Sequence, residues 1–291
     1  GNSHLKNYLD LVRDYFDEVL VVSDYPVEYA PSKSVSFSLK NPLKIRNSIQ
    51  KLRQIIHDYN PSIIHVHQAN SYAFIAGKAN DGSTPLVLTA WGSDVLLLPK
   101  RSIIHRWLVT QALRYADIVT ADSEQMIQEI HALCPDKEVV NANFGVDIDL
   151  PEAMNVEREL ILYSNRMHEP LYRIEDILKE FNALCKESDG QLILAGKGSL
   201  TEKLKEYTKL HQLINHVTFA GFVTKNQNKA NYLKSKFFIS IPTSDGTSIS
   251  LLEAMAYGCI PVLSDLPANR EWVEDGKNGI IIGRTEPMSK A

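Results

Sequence analysis

The sequence predicts an α/β chain built from two Rossmann-like, doubly wound units in tandem. Three observations carry this. Short, almost wholly apolar β-rich runs alternate with amphipathic stretches, the pattern of parallel sheets covered by helices on both faces. The alternation weakens over residues 143–158 (NFGVDIDLPEAMNVER), where polarity is mixed and a proline intervenes, and then restarts. With 291 residues, the chain is long enough for two domains and for a large core without disulfide or metal staples. The expected division is 1–150 and 151–291.

In the first unit a helical pattern over residues 4–16 leads to a strand at Val19–Val22. Residues 43–58 (LKIRNSIQKLRQIIHD) repeat apolar positions at three and four, as a helix does, and Asn60-Pro61 breaks it. A strand at Ser62–His67 follows, then a small-residue helix over 71–79 and a strand at Leu86–Thr89. A helix over 102–115 and a strand at Asp117–Thr120 complete the series. The second unit repeats the scheme. Its strands are Leu160–Tyr163, Gln191–Ala195, 217–219, Phe237–Ser240 and Ile260–Leu263. Its helices are 173–186, 200–211, 226–235 and 249–257. Ligands of such sheets bind at the carboxyl ends of the strands, and two such units facing each other would enclose a cleft.

Composition excludes several classes. Lys+Arg is 31 and Asp+Glu is 35, a net charge of −4, and neither half is basic, which argues against a dedicated nucleic-acid binder. The three cysteines, Cys134, Cys185 and Cys259, lie far apart, so neither a disulfide framework nor a zinc ribbon is expected. No apolar run reaches the ~18–20 residues needed to span a bilayer, and the chain opens GNSHLKNYLD with no apolar signal core. A cytoplasmic protein is expected, peripheral at most to the inner face of a membrane.

Residues 237–263 (FFISIPTSDGTSISLLEAMAYGCIPVL) are the most informative. A buried strand runs into a polar loop, 242–248, and then into a helix that Gly258 stops. A glycine and small hydroxyl residues at a helix N-terminus suit an anion, because free N–H groups and the positive dipole end point outward. Asp245 and Glu253 flank that terminus and can face one ligand. The plainer alternative is that Ser248 or Asp245 merely caps the helix.

Asp-x7-Glu followed by LLEAMAYGCIPVLSD resembles the Glu-x7-Glu signature of the family 4 retaining glycosyltransferases, which have the GT-B fold. The first acid is one methylene shorter than the family's. Other segments follow in the family's order: Ile64-His65-Val66-His67 resembles its "HVH" strand, and Thr89-Ala90-Trp91-Gly92-Ser93-Asp94 its "T-x-H-G-S-D" loop. Phe144-Gly145-Val146-Asp147 resembles "NGVD", and Leu162–Arg166 the "VGR" strand end. Leu194–Gly198 resembles "xxGxG", and Phe219–Val223 "FLGFV". The resemblance runs over nearly the whole chain. It implies an acceptor-side first domain and a donor-side second domain. It also implies a first strand ahead of residue 1, of whose glycine-rich loop only Gly1–His4 could remain, and terminal helices beyond Arg284.

The resemblance further implies a nucleotide-sugar substrate, a glycan or lipid-linked acceptor, bacterial surface polysaccharide or glycolipid assembly, and no metal or other cofactor. Glu253 would hold the donor ribose diol and Asp245 hydroxyls of the transferred sugar. The N–H groups of Gly246, Thr247, Ser250 and Leu251 would meet sugar and phosphate, with Gly196 in the donor site as well. Arg166 would pair with the diphosphate, its planar fork matching phosphate oxygens. Two positions depart from the family. Its Lys about five residues after the arginine is absent, leaving Arg173 or His168 to supply that charge. Its acceptor-facing histidine falls on Trp91, which cannot accept a proton, leaving Asp94, His67 or His4 to substitute. His65 and His67 are expected to alternate along their strand, only one facing the cleft, with His67 the better candidate. Two rivals are a sugar-nucleotide epimerase of the same fold and a non-catalytic nucleotide-sugar binder. Residues 97–114 join Lys100, Arg101, Arg106 and Arg114 to Ile103, Ile104, Trp107 and Leu108. That is either a weak membrane-surface contact or a core stripe with a solvated basic face.

Overall fold

The computed structural model describes residues 3–143, 145–146, 148–150 and 157–283. The chain divides into two compact units, Gly1–Phe144 and Gly145–Ala291. Of the segment 143–158, residues 144, 147 and 151–156 lie outside the described residues, and with them Phe144 and Asp147 of the FGVD motif.

The first unit begins with α1 (Ser3–Val12), a 3-10 turn (Arg13–Tyr15), β1 (Val21–Ser23) and β2 (Ser32–Ser34). It continues through α2 (Pro42–Tyr59), β3 (Ile64–His67), α3 (Ser71–Ala79), β4 (Leu86–Thr89), α4 (Ser93–Leu96), α5 (Leu98–Arg101) and α6 (Ile103–Tyr115). It closes with β5 (Ile118–Ala121), α7 (Glu124–Leu133) and β6 (Val139–Asn141). Strands β3-β4-β5-β6 form a parallel sheet in that order, and β1 and β2 form a separate parallel pair.

Local chemistry sets the helix ends. The Asn41 side chain accepts from the Leu43 N–H at 2.9 Å, and Pro42 opens α2 where a missing N–H costs nothing. Asn60 then ends that helix in the left-handed conformation, φ 49°. The small residues of α3 have a packing reason: a Cβ on Gly77 would stand 2.3 Å from Tyr115, so α6 can lie against α3 only over a glycine. Strand β2 reads Ser-Lys-Ser and has no apolar pattern, so backbone pairing alone identifies it. Helix α7, which the alternation of runs did not mark, has a capping serine: Ser123 accepts from the Met126 N–H at 3.4 Å.

The second unit contains β7 (Glu159–Ser164), a 3-10 turn (Pro170–Tyr172), α8 (Ile174–Leu184), β8 (Gln191–Ala195), α9 (Thr201–Leu210) and β9 (Val217–Gly221). Then come α10 (Lys225–Lys234), β10 (Ser235–Ser240), α11 (Ile249–Ala256), β11 (Ile260–Ser264), α12 (Pro267–Arg270) and β12 (Ile280–Ile282). Its sheet is parallel, in the order β12-β11-β10-β7-β8-β9. One core packs Ile177 and Phe181 of α8 and Leu204 of α9 against one face; another packs Tyr232 of α10 and Leu251 and Ala254 of α11 against the other. Numbered within the unit, the strands run 3-2-1-4-5-6, so the order reverses between β7 and β10. In sheets of this kind ligands bind at that switch point, off the carboxyl ends of the strands.

Candidate functional site

The two segments at the switch point are those with the strongest sequence signals. Residues 165–173 leave β7 and residues 241–248 leave β10. Arg166 joins them: its Nη2 donates to Asp245 Oδ2, and its Nη1 donates to Ser248 Oγ at 2.6 Å. Ser248 is the N-cap residue of α11, yet its side chain makes no capping hydrogen bond. The hydroxyl that could have closed the helix is turned to the arginine instead, which disfavours the plain capping alternative. The guanidinium also lies over the Tyr172 ring, 4.5 Å from its centroid, which holds it by cation–π attraction. Its Nε is buried with no hydrogen-bond partner. Burial pushes the Asp245 carboxyl pKa up, with Arg166 opposing.

The loop is pinned from three further sides. The Thr243 N–H donates to the Leu171 carbonyl at 2.9 Å, the Ser264 hydroxyl to the Pro242 carbonyl at 2.8 Å, and Trp272 Nε1 to Thr247 Oγ1 at 3.1 Å. On the other flank, Gly196 ends β8 with φ +98°, and a Cβ there would stand 2.8 Å from the Arg166 carbonyl oxygen. Only glycine lets the 196–198 turn approach the end of β7 so closely.

Glu253 faces the same end of the sheet from α11. Its Oε2 accepts from Asn228 Nδ2 at 3.1 Å and from the Tyr232 hydroxyl at 3.0 Å, and Oε1 makes no hydrogen bond among the described residues. Asn228 and Tyr232 stand four apart on α10, on one face. They are tied to β7 through Tyr163, whose hydroxyl donates to Asn228 Oδ1 at 2.6 Å, and through Asn165, which donates to the Tyr232 hydroxyl at 2.8 Å. Burial raises the Glu253 pKa, against the pull of Tyr232 and Asn228. None of these four supporting residues was singled out from sequence; the i, i+4 spacing of Asn228 and Tyr232 was the available signal.

Several expected site residues are placed otherwise. The Leu251 N–H is taken by the Ser248 carbonyl at 2.9 Å, and Gly246 follows Asp245 in the 241–248 loop. Ser250 is the second residue of α11, where helix geometry offers its N–H no acceptor within the helix. Arg173 adopts φ 55° at the start of α8 and pairs with Asp176 at 2.8 Å. His168 is buried, Nδ1 lies 3.0 Å from Thr201 Oγ1, Nε2 has no partner, and burial lowers its pKa. A neutral imidazole cannot supply a phosphate's countercharge.

In the first unit, both carboxylate oxygens of Asp94 are taken by backbone amides. It is buried, Oδ2 accepts from the Ala69 N–H at 2.6 Å, and Oδ1 accepts from the Trp91 N–H at 3.0 Å. Burial raises its pKa while those amides oppose it. The expectation that only one of His65 and His67 faces a given side is overturned. Residues two apart on a strand share a face, and the two rings stack with centroids 4.5 Å apart. His65 is held at both nitrogens, by the Tyr8 hydroxyl at 2.9 Å and Thr89 Oγ1 at 2.7 Å. His67 Nδ1 accepts from Trp91 Nε1 at 3.1 Å. Burial brings the pKa of His65 down to about 4; burial and the His65 neighbour bring that of His67 to about 3. The His4 side chain lies outside the described residues.

The core-stripe alternative for residues 97–114 fails for three residues. Helix α6 buries Val109, Ala112 and Leu113, whereas Ile103, Ile104 and Trp107 are 87%, 76% and 53% exposed. Among the described residues no helix is long and apolar enough to cross a membrane, and no cluster of three His, Cys, Asp or Glu side chains could hold a metal ion.

Known proteins agree with this architecture. Residues 2–123 match the family described as "Glycosyl transferase 4-like", and residues 149–291 the family described as "Glycosyl transferases group 1". The N-acetyl-alpha-D-glucosaminyl L-malate synthase of Bacillus anthracis is 24% identical over 282 residues, 92% of this chain and 70% of that protein. The phosphatidyl-myo-inositol mannosyltransferase of Mycolicibacterium smegmatis is 26% identical over 311 residues, 96% of this chain and 76% of that one. The crystal structure of Anabaena HepE in complex with UDP and glucose superimposes with a TM-score of 0.78 at 17% identity, covering 97% of this chain and 82% of that one. The fold is GT-B, and the epimerase and binding-only rivals fall away. The two families between them span nearly the whole chain: it belongs to the family 4-like, group 1 glycosyltransferases, and is a glycosyltransferase enzyme.

Proposed function

We propose that this glycosyltransferase takes its sugar from a nucleotide-sugar and transfers it, with retention of anomeric configuration, to a glycan or lipid-linked acceptor. The setting is bacterial surface polysaccharide or glycolipid assembly at the cytoplasmic side of a membrane. The observation that carries the reading is Arg166 at the switch point, its fork divided between Asp245 and the N-cap residue of α11. A diphosphate there meets a fixed guanidinium and the positive end of a helix. The unengaged Glu253 Oε1 suits a ribose diol, since a carboxylate accepts from two hydroxyls. Asp245 would accept from hydroxyls of the transferred sugar.

In the reaction the bond from the anomeric carbon to the β-phosphate oxygen breaks. The acceptor oxygen bonds to that carbon on the same face, and its proton passes to the leaving phosphate. Negative charge grows on that phosphate, and Arg166 with the α11 amides stabilises it. The same positive groups take the part a metal ion would otherwise play, so transfer is proposed to run without one.

Relatives support the donor and acceptor classes: one is named as a mannosyltransferase acting on phosphatidyl-myo-inositol, and one solved neighbour holds UDP and glucose. Ile103, Ile104 and Trp107, with the exposed Arg101 and Arg106 beside them, support contact with an anionic bilayer. The test is incubation of UDP-, GDP- and ADP-sugars with lipid-linked and soluble acceptors, followed by NMR of the product's anomeric proton. A product of the donor's configuration is expected. An inverted product would overturn retention, and no transfer from any nucleotide-sugar would overturn the donor assignment.

A further inference from the structure

The cluster around β3 and β4 of the first unit fixes where a proton sits. Trp91 Nε1–H is a donor only, because the indole nitrogen has no lone pair to offer. Its partner at 3.1 Å is His67 Nδ1, which therefore accepts and carries no proton. A neutral imidazole has one ring proton, so that of His67 is on Nε2. Nε2 makes no hydrogen bond among the described residues and is not among the buried atoms left without a partner. The ring is further fixed by its stack on His65 and by the edge of Tyr8, with centroids 4.6 Å apart. His65 is itself held at both nitrogens, and Asp94 fixes the backbone of Trp91.

We propose that His67 is a preset hydrogen-bond donor to a substrate oxygen, its tautomer selected by Trp91, and that it is not a general base. Resting on the glycosyltransferase reading, this adds a specificity residue and a positioning residue to it. The group that meets Nε2–H must offer a lone pair: a sugar hydroxyl oxygen or a carboxylate. Nε2 has no lone pair to take the acceptor's proton, and a front-face transfer that delivers this proton to the leaving phosphate needs none. Among the described residues, the titratable neighbours that face His67 are His65, from the same strand, and Tyr8, from α1. Burial beside His65 keeps the ring neutral, so the arrangement persists through neutral and mildly acidic pH.

The test uses the full chain labelled with 15N-histidine and needs no substrate. Multiple-bond 1H–15N spectra are recorded between about pH 5 and 8, with His67→Gln assigning the resonances. A pyridine-type Nδ1 and a pyrrole-type, protonated Nε2, both invariant with pH, are expected; Trp91→Phe should shift them towards an averaged tautomer. A protonated Nδ1 in the wild type, titration in that range, or unchanged nitrogens in a folded Trp91→Phe would each overturn the tautomer assignment. If that variant does not fold, the wild-type spectrum decides alone. For the donor role, His67→Gln, which keeps an N–H, should retain ~10-fold more kcat/KM than His67→Leu, with the difference mainly in KM. Equal losses in the two variants would overturn it. Inactivity of the wild type on every nucleotide-sugar would count against the proposed donor, whereas the spectra test the tautomer independently of it.

Discussion

Arg166 and Asp245 face each other across the switch point of the second sheet: one guanidinium nitrogen donates to the aspartate and the next to Ser248. The cation that the proposed diphosphate needs thus also holds the 241–248 loop in shape. Replacing Arg166 by Lys keeps a charge but can serve only one of these partners at a time, and loses the planar stack on Tyr172. Turnover is expected to fall ~10-fold or more, with a modest change in stability by urea unfolding. Wild-type turnover in Arg166→Lys would make the arginine structural only.

Glu253 supplies a pH test. Its folded pKa is raised by burial. A raised carboxyl pKa favours the protonated fold, so this contribution to stability is fully present below the unfolded pKa and is lost as pH rises through the folded one. Glu253→Gln, which removes the ionisation and keeps the size, is expected to be more stable than wild type at about pH 8, with the advantage vanishing near pH 4. Urea unfolding at the two pH values measures it. A constant difference would mean that burial does not perturb Glu253.

The histidine pair carries the opposite sign. Both pKa values are depressed, to about 4 and about 3, so the stability they contribute is present above the unfolded value of about 6.5 and is lost as pH falls towards the folded values. Acidification from about pH 6.5 should loosen the first unit. The double variant His65→Gln, His67→Gln should flatten that slope in thermal unfolding; an unchanged slope assigns acid sensitivity to other groups.

Exposed Ile103, Ile104 and Trp107 beside Arg101 and Arg106 predict weak, salt-sensitive attachment to anionic vesicles, since each basic residue near the surface adds only ~1 kcal/mol. Flotation with anionic and neutral liposomes at low salt reads it. Replacing Ile103 and Trp107 by Ser should abolish flotation without unfolding the chain, because neither lies in the core. Equal failure to float with both lipids would leave a soluble acceptor as the better account.

What was legible in sequence was the order of types. An apolar strand, a polar loop with glycine and hydroxyls, and a helix with two flanking acids announced the Asp245–Glu253 site, and the alternation of runs placed most strands within two residues. What was not legible was partnership. Arg173 and His168 read as spare cations, yet Asp176 neutralises one and burial discharges the other. Asp94 read as an acid in a loop, yet two backbone amides hold it. The network behind Glu253 is dispersed over Tyr163, Asn165, Asn228 and Tyr232, which only the fold brings together.

A nucleotide-sugar is proposed to sit in the second unit between Arg166 and Glu253. Calorimetric titration of UDP-, GDP- and ADP-sugars into wild type and Glu253→Ala tests it most directly. At least one of them is expected to bind, and Glu253→Ala to weaken that binding by about 1.5–3 kcal/mol, the scale of a charge-assisted hydrogen bond. Equal affinity in a folded Glu253→Ala, or no binding of any of the three to the wild type, would contradict it.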